Sequence, residues 1–229
     1  MNAIEHVCEP SRLVLTWQSP DLSGRDRKRF GVADLLREGN DAILVYRADD
    51  EVSAAKALGY VGYPAFRPDS RSHENALSVF KRRLPPRERS DFAHYLRNFR
   101  LQTCEISDFA LLGYTEAKLP SDGFALVDRL EEACVPCERM LEIAGFRHYS
   151  AHTAGLLEGE EIQLMLEPDN PYDSSAIAFL WRGNKIGNVN RFQISTVTHW
   201  MLGRSVRAVF ERRNGGPERP RGYAFVTVR

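Results

Sequence analysis

After Glu138 the chain changes texture. Short apolar runs follow one another with turn residues between them, at 140–146, 161–166, 176–181 and 185–189. Each is too brief for a lasting helix, and each suits a strand. Arg182-Gly183-Asn184 sits between the last two and marks a hairpin turn. One helical pattern interrupts at 191–202, with Phe192, Ile194, Val197 and Met201 on its apolar side and Gly203 placed to cap it. Two further strand patterns, 205–212 and 222–228, close the chain. Many short strands must hide their edges, so the segment predicts a small, partly closed β-barrel with one helix.

The part before it reads differently. Strand patterns occur at 12–17 and 42–46, and 30–36 leads toward a short helix after a charged turn at 23–29. Residues 50–58 read as a helix with Asp50 and Glu51 at its start and Gly59 to stop it. Helices are also expected over 86–98, where Phe92, Tyr95, Leu96 and Phe99 fall at helical spacing, and from Ser107 onward. Residues 121–132 hold one more short element. The whole is an α+β chain: a mixed N-terminal domain at 1–132, a linker at 133–138, and the small barrel at 139–229. No internal repeat is evident.

Composition excludes some functions. Thirty-one basic residues balance thirty-one acidic ones in 229, so bulk charge announces no nucleic-acid protein and only a local patch could. No apolar run is long enough to cross a bilayer, and the N-terminus lacks a basic head before an apolar stretch, which leads us to expect a cytoplasmic protein with no membrane partner. Of the four cysteines, Cys134 and Cys137 alone have the spacing of a metal or dithiol pair. Tetrahedral zinc needs two more ligands, and neither a second cysteine pair nor paired histidines exist. Two reduced thiols are the simpler reading, with metal or redox use as the alternative. No cofactor is expected.

The loop between the strands at 161–166 and 176–181 carries the densest chemistry. Glu167-Pro168-Asp169-Asn170-Pro171-Tyr172-Asp173 places a turn-forming Asn-Pro, a ring and several carboxylates together. A stiff loop with a ring face beside a hydrogen-bond acceptor can recognise the end of a ligand.

This run resembles the HIRAN domain. The matching pieces are Ala144-Gly145-Phe146-Arg147-His148-Tyr149, then 164–177 around Asn170-Pro171-Tyr172-Asp173, then Lys185-Ile186-Gly187-Asn188-Val189-Asn190-Arg191, in order and spacing over 139–229. The resemblance implies an OB-like barrel that binds the free 3′ end of single-stranded DNA, as in DNA-remodelling ATPases of the replication-stress response. The ATPase is not implied, because no Gly-rich loop ending in Gly-Lys-Ser/Thr occurs.

The implied site is nucleic-acid-binding, with no catalytic or metal residue. Tyr172 is the stacking platform. His148 stands where better-known members of the family present a second aromatic. Asp173 accepts the terminal hydroxyl and repels a phosphate there. Asn170 holds the loop or meets the nucleotide, and Arg147, Arg191 and Asn188 line the phosphate side. Eight arginines from Arg191 to Arg229 form a local basic excess that the neutral total hides, with Arg212 and Arg213 near the Asn214-Gly215-Gly216 turn read as solvated hairpin charges, and the basic cluster Lys81, Arg82, Arg83, Arg87 and Arg89 reads as a solvated helix start.

Two other readings stand beside this one. Phe80-Lys81-Arg82-Arg83-Leu84-Pro85-Pro86, then 92–101 and 108–114, is similar to the N-terminal subdomain of HipA-like toxin kinases, whose kinase core is absent here. That resemblance implies a regulatory, antitoxin-like partner of such a kinase. Glu167, Asp169 and Asp173 could instead hold a divalent metal in a nuclease, although no second acidic cluster with a lysine completes such a site.

Overall fold

The computed structural model describes residues 2–20, 28–102, 105–119 and 122–229. It divides into two compact units. One comprises 8–95 and 105–132, and the other joins 1–7 and 96–104 to 133–229. Residues 23–27 of the turn expected at 23–29, Ser121 and Cys104 lie outside the described residues.

The first unit is built on a five-stranded antiparallel sheet. Its elements are β1 (Arg12–Gln18), β2 (Arg29–Glu38), β3 (Asp41–Tyr46), α1 (Asp50–Ala57), β4 (Ser72–His73), α2 (Ala76–Phe80), α3 (Phe92–Asn98), α4 (Asp108–Tyr114) and β5 (Phe124–Val127), with sheet order β4-β3-β2-β1-β5. The division between the units falls within α3. Asp49 caps α1 by accepting from Val52 N, and Ser107 caps α4 by accepting from Ala110 N, each at 3.0 Å. These side chains satisfy amides that the first helical turn cannot. Gly59, at φ 100°, ends α1 as expected. Tyr63 packs its ring against Phe80 and Phe124, with centroids 4.8 and 4.9 Å away.

Two expectations are corrected here, and a third is given its form. Residues 30–36 form no helix; they belong to β2, which pairs on both edges and buries Phe30, Val32, Ala33 and Leu35. A strand used on both faces loses the alternation that would have identified it. The helix expected at 86–98 starts only at Phe92; turns precede it, with Arg89 N on the Pro86 carbonyl and Phe92 N on the Arg89 carbonyl. The element at 121–132 is β5, a strand buried throughout.

The second unit contains β6 (Cys137–Ile143), a 3₁₀ turn (Phe146–Tyr149), α5 (Ser150–Thr153), β7 (Glu161–Leu166), β8 (Ile177–Trp181), β9 (Asn184–Asn188), α6 (Ile194–Gly203), β10 (Val206–Asn214) and β11 (Arg221–Val228). All its pairings are antiparallel, in the order β6-β11-β10-β7-β8-β9. The sheet curls until its ends meet. Ala144, just past β6, exchanges two backbone hydrogen bonds of 2.8 Å with Asn188 of β9. Arg182 and Gly183, at φ 49° and 78°, make the two-residue turn of the β8–β9 hairpin. Inside the curl Phe146 stacks on Phe210 at 5.7 Å, and Val197 and Trp200 of α6 are buried.

Boundaries shift in this unit too. The strand expected at 140–146 stops at Ile143, because Gly145 takes φ 75° and turns the chain into the 3₁₀ segment. His148 and Tyr149 therefore do not lie on opposite faces of a strand. The helix expected at 191–202 begins at Ile194, since Asn190 Oδ1 holds Phe192 N in a turn at 3.2 Å. Gly203 is its last helical residue, followed by extended Arg204, and is not a left-handed cap.

Two buried carboxylates tie distant parts of the chain into this unit. Glu138, 2% exposed, accepts from the backbone N of Glu5 and of His6 at 3.1 Å and from Arg229 at 2.7 Å. Glu211, 5% exposed, accepts from Asn2 Nδ2 at 2.7 Å and from Arg100.

Candidate nucleic-acid interface

The loop between β7 and β8 is a chain of side-chain-to-backbone bonds. Asn170 Oδ1 accepts from Tyr172 N at 3.0 Å and from Asp173 N at 3.3 Å. Asp173 Oδ1 then accepts from Ser175 N at 2.9 Å, and its carbonyl accepts from Ala176 N at 3.0 Å. Short polar side chains that bond forward in this way fold a turn without needing a ladder. Pro171 fixes one more dihedral between them. The result is a stiff backbone beneath a side chain that touches little: Tyr172 is 96% exposed.

Glu167 anchors that loop. Its carboxylate accepts from Lys185 Nζ at 2.7 and 2.6 Å, from Asn188 Nδ2 at 2.7 Å and from Asn170 Nδ2 at 3.0 Å. Burial alone would push the Glu167 carboxyl up, but the bonds from Lys185, Asn188 and Asn170 outweigh it and hold it below the usual range. Sequence reasoning offered Glu167 only as a metal ligand and passed over Lys185. The signal was available: a carboxylate at the mouth of a β-hairpin wants a cation, and Lys185 lies on the adjoining hairpin. Lys185 Nζ also stands 5.8 Å from the centre of the Tyr149 ring, and its carbonyl bonds His152 Nδ1 at 2.9 Å.

The structure thus brings Asn170 and Asn188 onto one carboxylate, with Tyr172 and Asp173 on the loop they hold. Asn188 also joins this cluster to Ala144, which leads directly into the turn carrying Arg147 and His148. Arg147 Nε donates to His148 Nε2 at 3.1 Å, and His148 is exposed. Arg191 is exposed at the end of the segment that follows β9, its guanidinium 4.5 Å from the Phe192 ring centre.

The local arginine excess is partly spent inside the fold. Arg212, read as a solvated hairpin charge, lies half-buried between the rings of Phe99 and Tyr223 at 5.7 and 5.0 Å, and burial pushes its pKa down. Arg213, read likewise, donates to the Thr153 carbonyl at 2.5 Å and covers Phe146. Both sit in β10, which runs past the expected end at 212. The basic cluster near residue 85 is also engaged. Arg83 is buried on Asp122, Lys81 and Arg87 share Asp108, and Arg89 holds Asp91. Cys134 is exposed while Cys137 is buried in β6, and they form no disulfide. Among the described residues no group of three or more His, Cys, Asp or Glu is placed to hold a metal ion.

Residues 140–223 match the family model of the HIRAN domain. The chain is similar to the HIRAN domain over this segment. Two solved structures are similar to it over 39% of the chain. The HIRAN domain of human HLTF is 21% identical, with 75% of that chain covered and a TM-score of 0.30. A protein from Lactobacillus plantarum is 19% identical, with 92% covered and a TM-score of 0.32. No curated protein matches the chain. The HIRAN domain is known as a single-stranded DNA-binding module, which supports a DNA-binding role. The family match takes in no part of the N-terminal segments that are similar to HipA-like kinases.

Proposed function

We propose that the HIRAN-like segment of this protein binds single-stranded DNA at a free 3′-hydroxyl end. The observation that carries this reading is a tyrosine with its ring almost wholly in solvent and its backbone locked by Asn170. A pre-stiffened platform loses little entropy when a base stacks on it. Stacking contributes about 1–3 kcal/mol per base and tolerates any sequence. His148, exposed beside Arg147, offers a smaller second surface.

Asp173 supplies the end preference. One of its oxygens is used by Ser175 N, and the other is left for the terminal hydroxyl. A phosphate in that position meets a like charge. Arg147 and Arg191 serve the preceding phosphates, and Asn188 keeps the loop in place through Glu167. The role is binding rather than catalysis, and its cellular context follows from whichever DNA ends the protein meets.

Fluorescence anisotropy of the full-length protein with 3′-hydroxyl, 3′-phosphate and blunt duplex oligonucleotides tests the proposal. The 3′-hydroxyl single strand is expected to bind tightest, with affinity falling steeply as salt rises. Equal affinity for the hydroxyl and phosphate ends defeats end recognition while leaving DNA binding intact.

A further inference from the structure

The second half of β7 is paired on one edge only. It meets β8 from Gln163↔Leu180 to Leu166↔Ile177. On the other edge it meets β10 at Glu161↔Val209 and Ile162↔Ala208, and there the pairing stops. Glu167 N donates to the Ala176 carbonyl, so Met165 and Gln163, two and four residues back, also face β8. Leu164 and Leu166 turn their backbone N–H and C=O groups the opposite way, where no ladder partner stands among the described residues.

The space beside them is a groove of about 580 Å³ walled by Ile162, Leu164, Met165, Leu180, Met201 and Val206. Met165 and Leu166 are 48% and 40% exposed, and Leu202 at the end of α6 is 78% exposed. An open strand edge is ordinarily guarded by lysine, proline, a bulge or a covering loop. Gln163-Leu164-Met165-Leu166 has no charge and no proline, and its pairing with β8 is regular. Arginines line the same groove. Arg207 bonds Glu161 at 3.3 Å, with both side chains about two-thirds exposed, and Arg204 makes no ion pair among the described residues.

We infer that this groove receives an extended, acidic segment of a partner protein, which adds to β7 as a strand. Backbone groups of the segment pair with Leu164 and Leu166, and its alternate apolar side chains enter between Leu180 and Met201. Its carboxylates meet Arg204 and Arg207. A nucleic acid fits this groove less well, because no aromatic ring lines it and a phosphate backbone has no ladder of amides to offer a strand edge.

The test uses the full-length protein and a fluorescein-labelled decapeptide of alternating valine and glutamate. Three comparators accompany it: the same peptide with every backbone amide N-methylated, its lysine-for-glutamate counterpart, and a single-stranded oligothymidylate. Binding of the glutamate peptide is expected, with slowed hydrogen exchange at the Leu164 and Leu166 amides. N-methylation is expected to weaken it by about tenfold or more, since the pairing bonds are lost. Arg204→Glu, at an exposed position, should weaken the glutamate peptide and strengthen the lysine one. The inference is overturned by absence of binding, by equal binding of the N-methylated peptide, or by unchanged exchange at Leu164 and Leu166. Displacement of the peptide by oligothymidylate, with protection of the same amides, would assign the groove to nucleic acid instead.

Discussion

Asn188 holds the Glu167 carboxylate with its side-chain amide at 2.7 Å while its backbone is bonded to Ala144. One residue therefore fixes both the loop that carries Tyr172 and the meeting point of the first and last strands. Glu167→Gln keeps the shape of the side chain but removes the charge that Lys185 neutralises. The variant is expected to lose about 1–3 kcal/mol of stability in urea denaturation at neutral pH. Single-stranded DNA affinity should fall with it, because Lys185, Asn188 and Asn170 would compete for one acceptor oxygen in place of two.

The same pair sets a pH dependence. Glu167 titrates lower in the fold than an unfolded glutamate, whose value is near 4.5. The stabilisation is complete above that unfolded value and fades as the pH falls through the lower folded one. Stability curves of the wild type and Glu167→Gln should run apart at neutral pH and converge on acidification. Parallel curves down to strongly acid pH would show that Glu167 is not linked to folding.

Tyr172→Ala should leave the denaturation midpoint unchanged, since the ring contributes almost no burial. Its DNA affinity is expected to fall by about 1–3 kcal/mol, the contribution of one stacked base. Asp173→Asn retains an oxygen for Ser175 N and removes the charge. It should bind 3′-phosphate and 3′-hydroxyl ends about equally, as measured by the same titration.

Gly187→Ala tests the closure of the sheet. Gly187 takes φ 146°, and an added Cβ would lie 2.4 Å from Ile143 Cγ2 and 2.6 Å from the Ala144 carbonyl. The backbone of Ala144 cannot retreat without breaking its bonds to Asn188. A loss of more than about 2 kcal/mol is expected, together with faster hydrogen exchange at Ala144.

In the first unit, Arg83 donates to Asp122 at 2.7 and 2.9 Å and to the carbonyls of Ala117 and Phe124 at 2.8 and 3.0 Å. Arg83→Met takes this donor from the Ala117 and Phe124 carbonyls and its partner from the exposed Asp122, at an expected cost of about 1–3 kcal/mol. Arg83→Lys should not restore it, because an ammonium lacks the planar fork that reaches all four. Thermal unfolding of the two variants decides the point.

What could be read from the residues was what repeats locally. The start of α4 near Ser107, the Gly59 stop of α1 and the Arg182–Gly183 hairpin are chemistry between near neighbours, and each appeared where expected. The Asn170 turn was legible for the same reason. What failed was longer-ranged. β2 hid because it is buried on both faces, so its pattern lacked alternation. The role of Glu167 depended on Lys185 and Asn188, which only the pairing of β8 with β9 brings to it. Arg212 looked solvated because Phe99, one of its two covering rings, lies more than a hundred residues away in the chain.

Glu138 and Glu211 decide how the HIRAN-like segment can be isolated. A fragment cut at residue 139 would discard Glu138 outright and strip Glu211 of both Asn2 and Arg100. Glu211 would lose both of these partners, and Arg212 would lose the Phe99 ring that covers it. Such a fragment is expected to be less stable than the same segment within the whole chain, by an amount on the order of one broken buried ion pair, about 3–5 kcal/mol. The compact unit is in this sense longer than the family match at 140–223, since it takes in residues 2–7 and 96–102 as well.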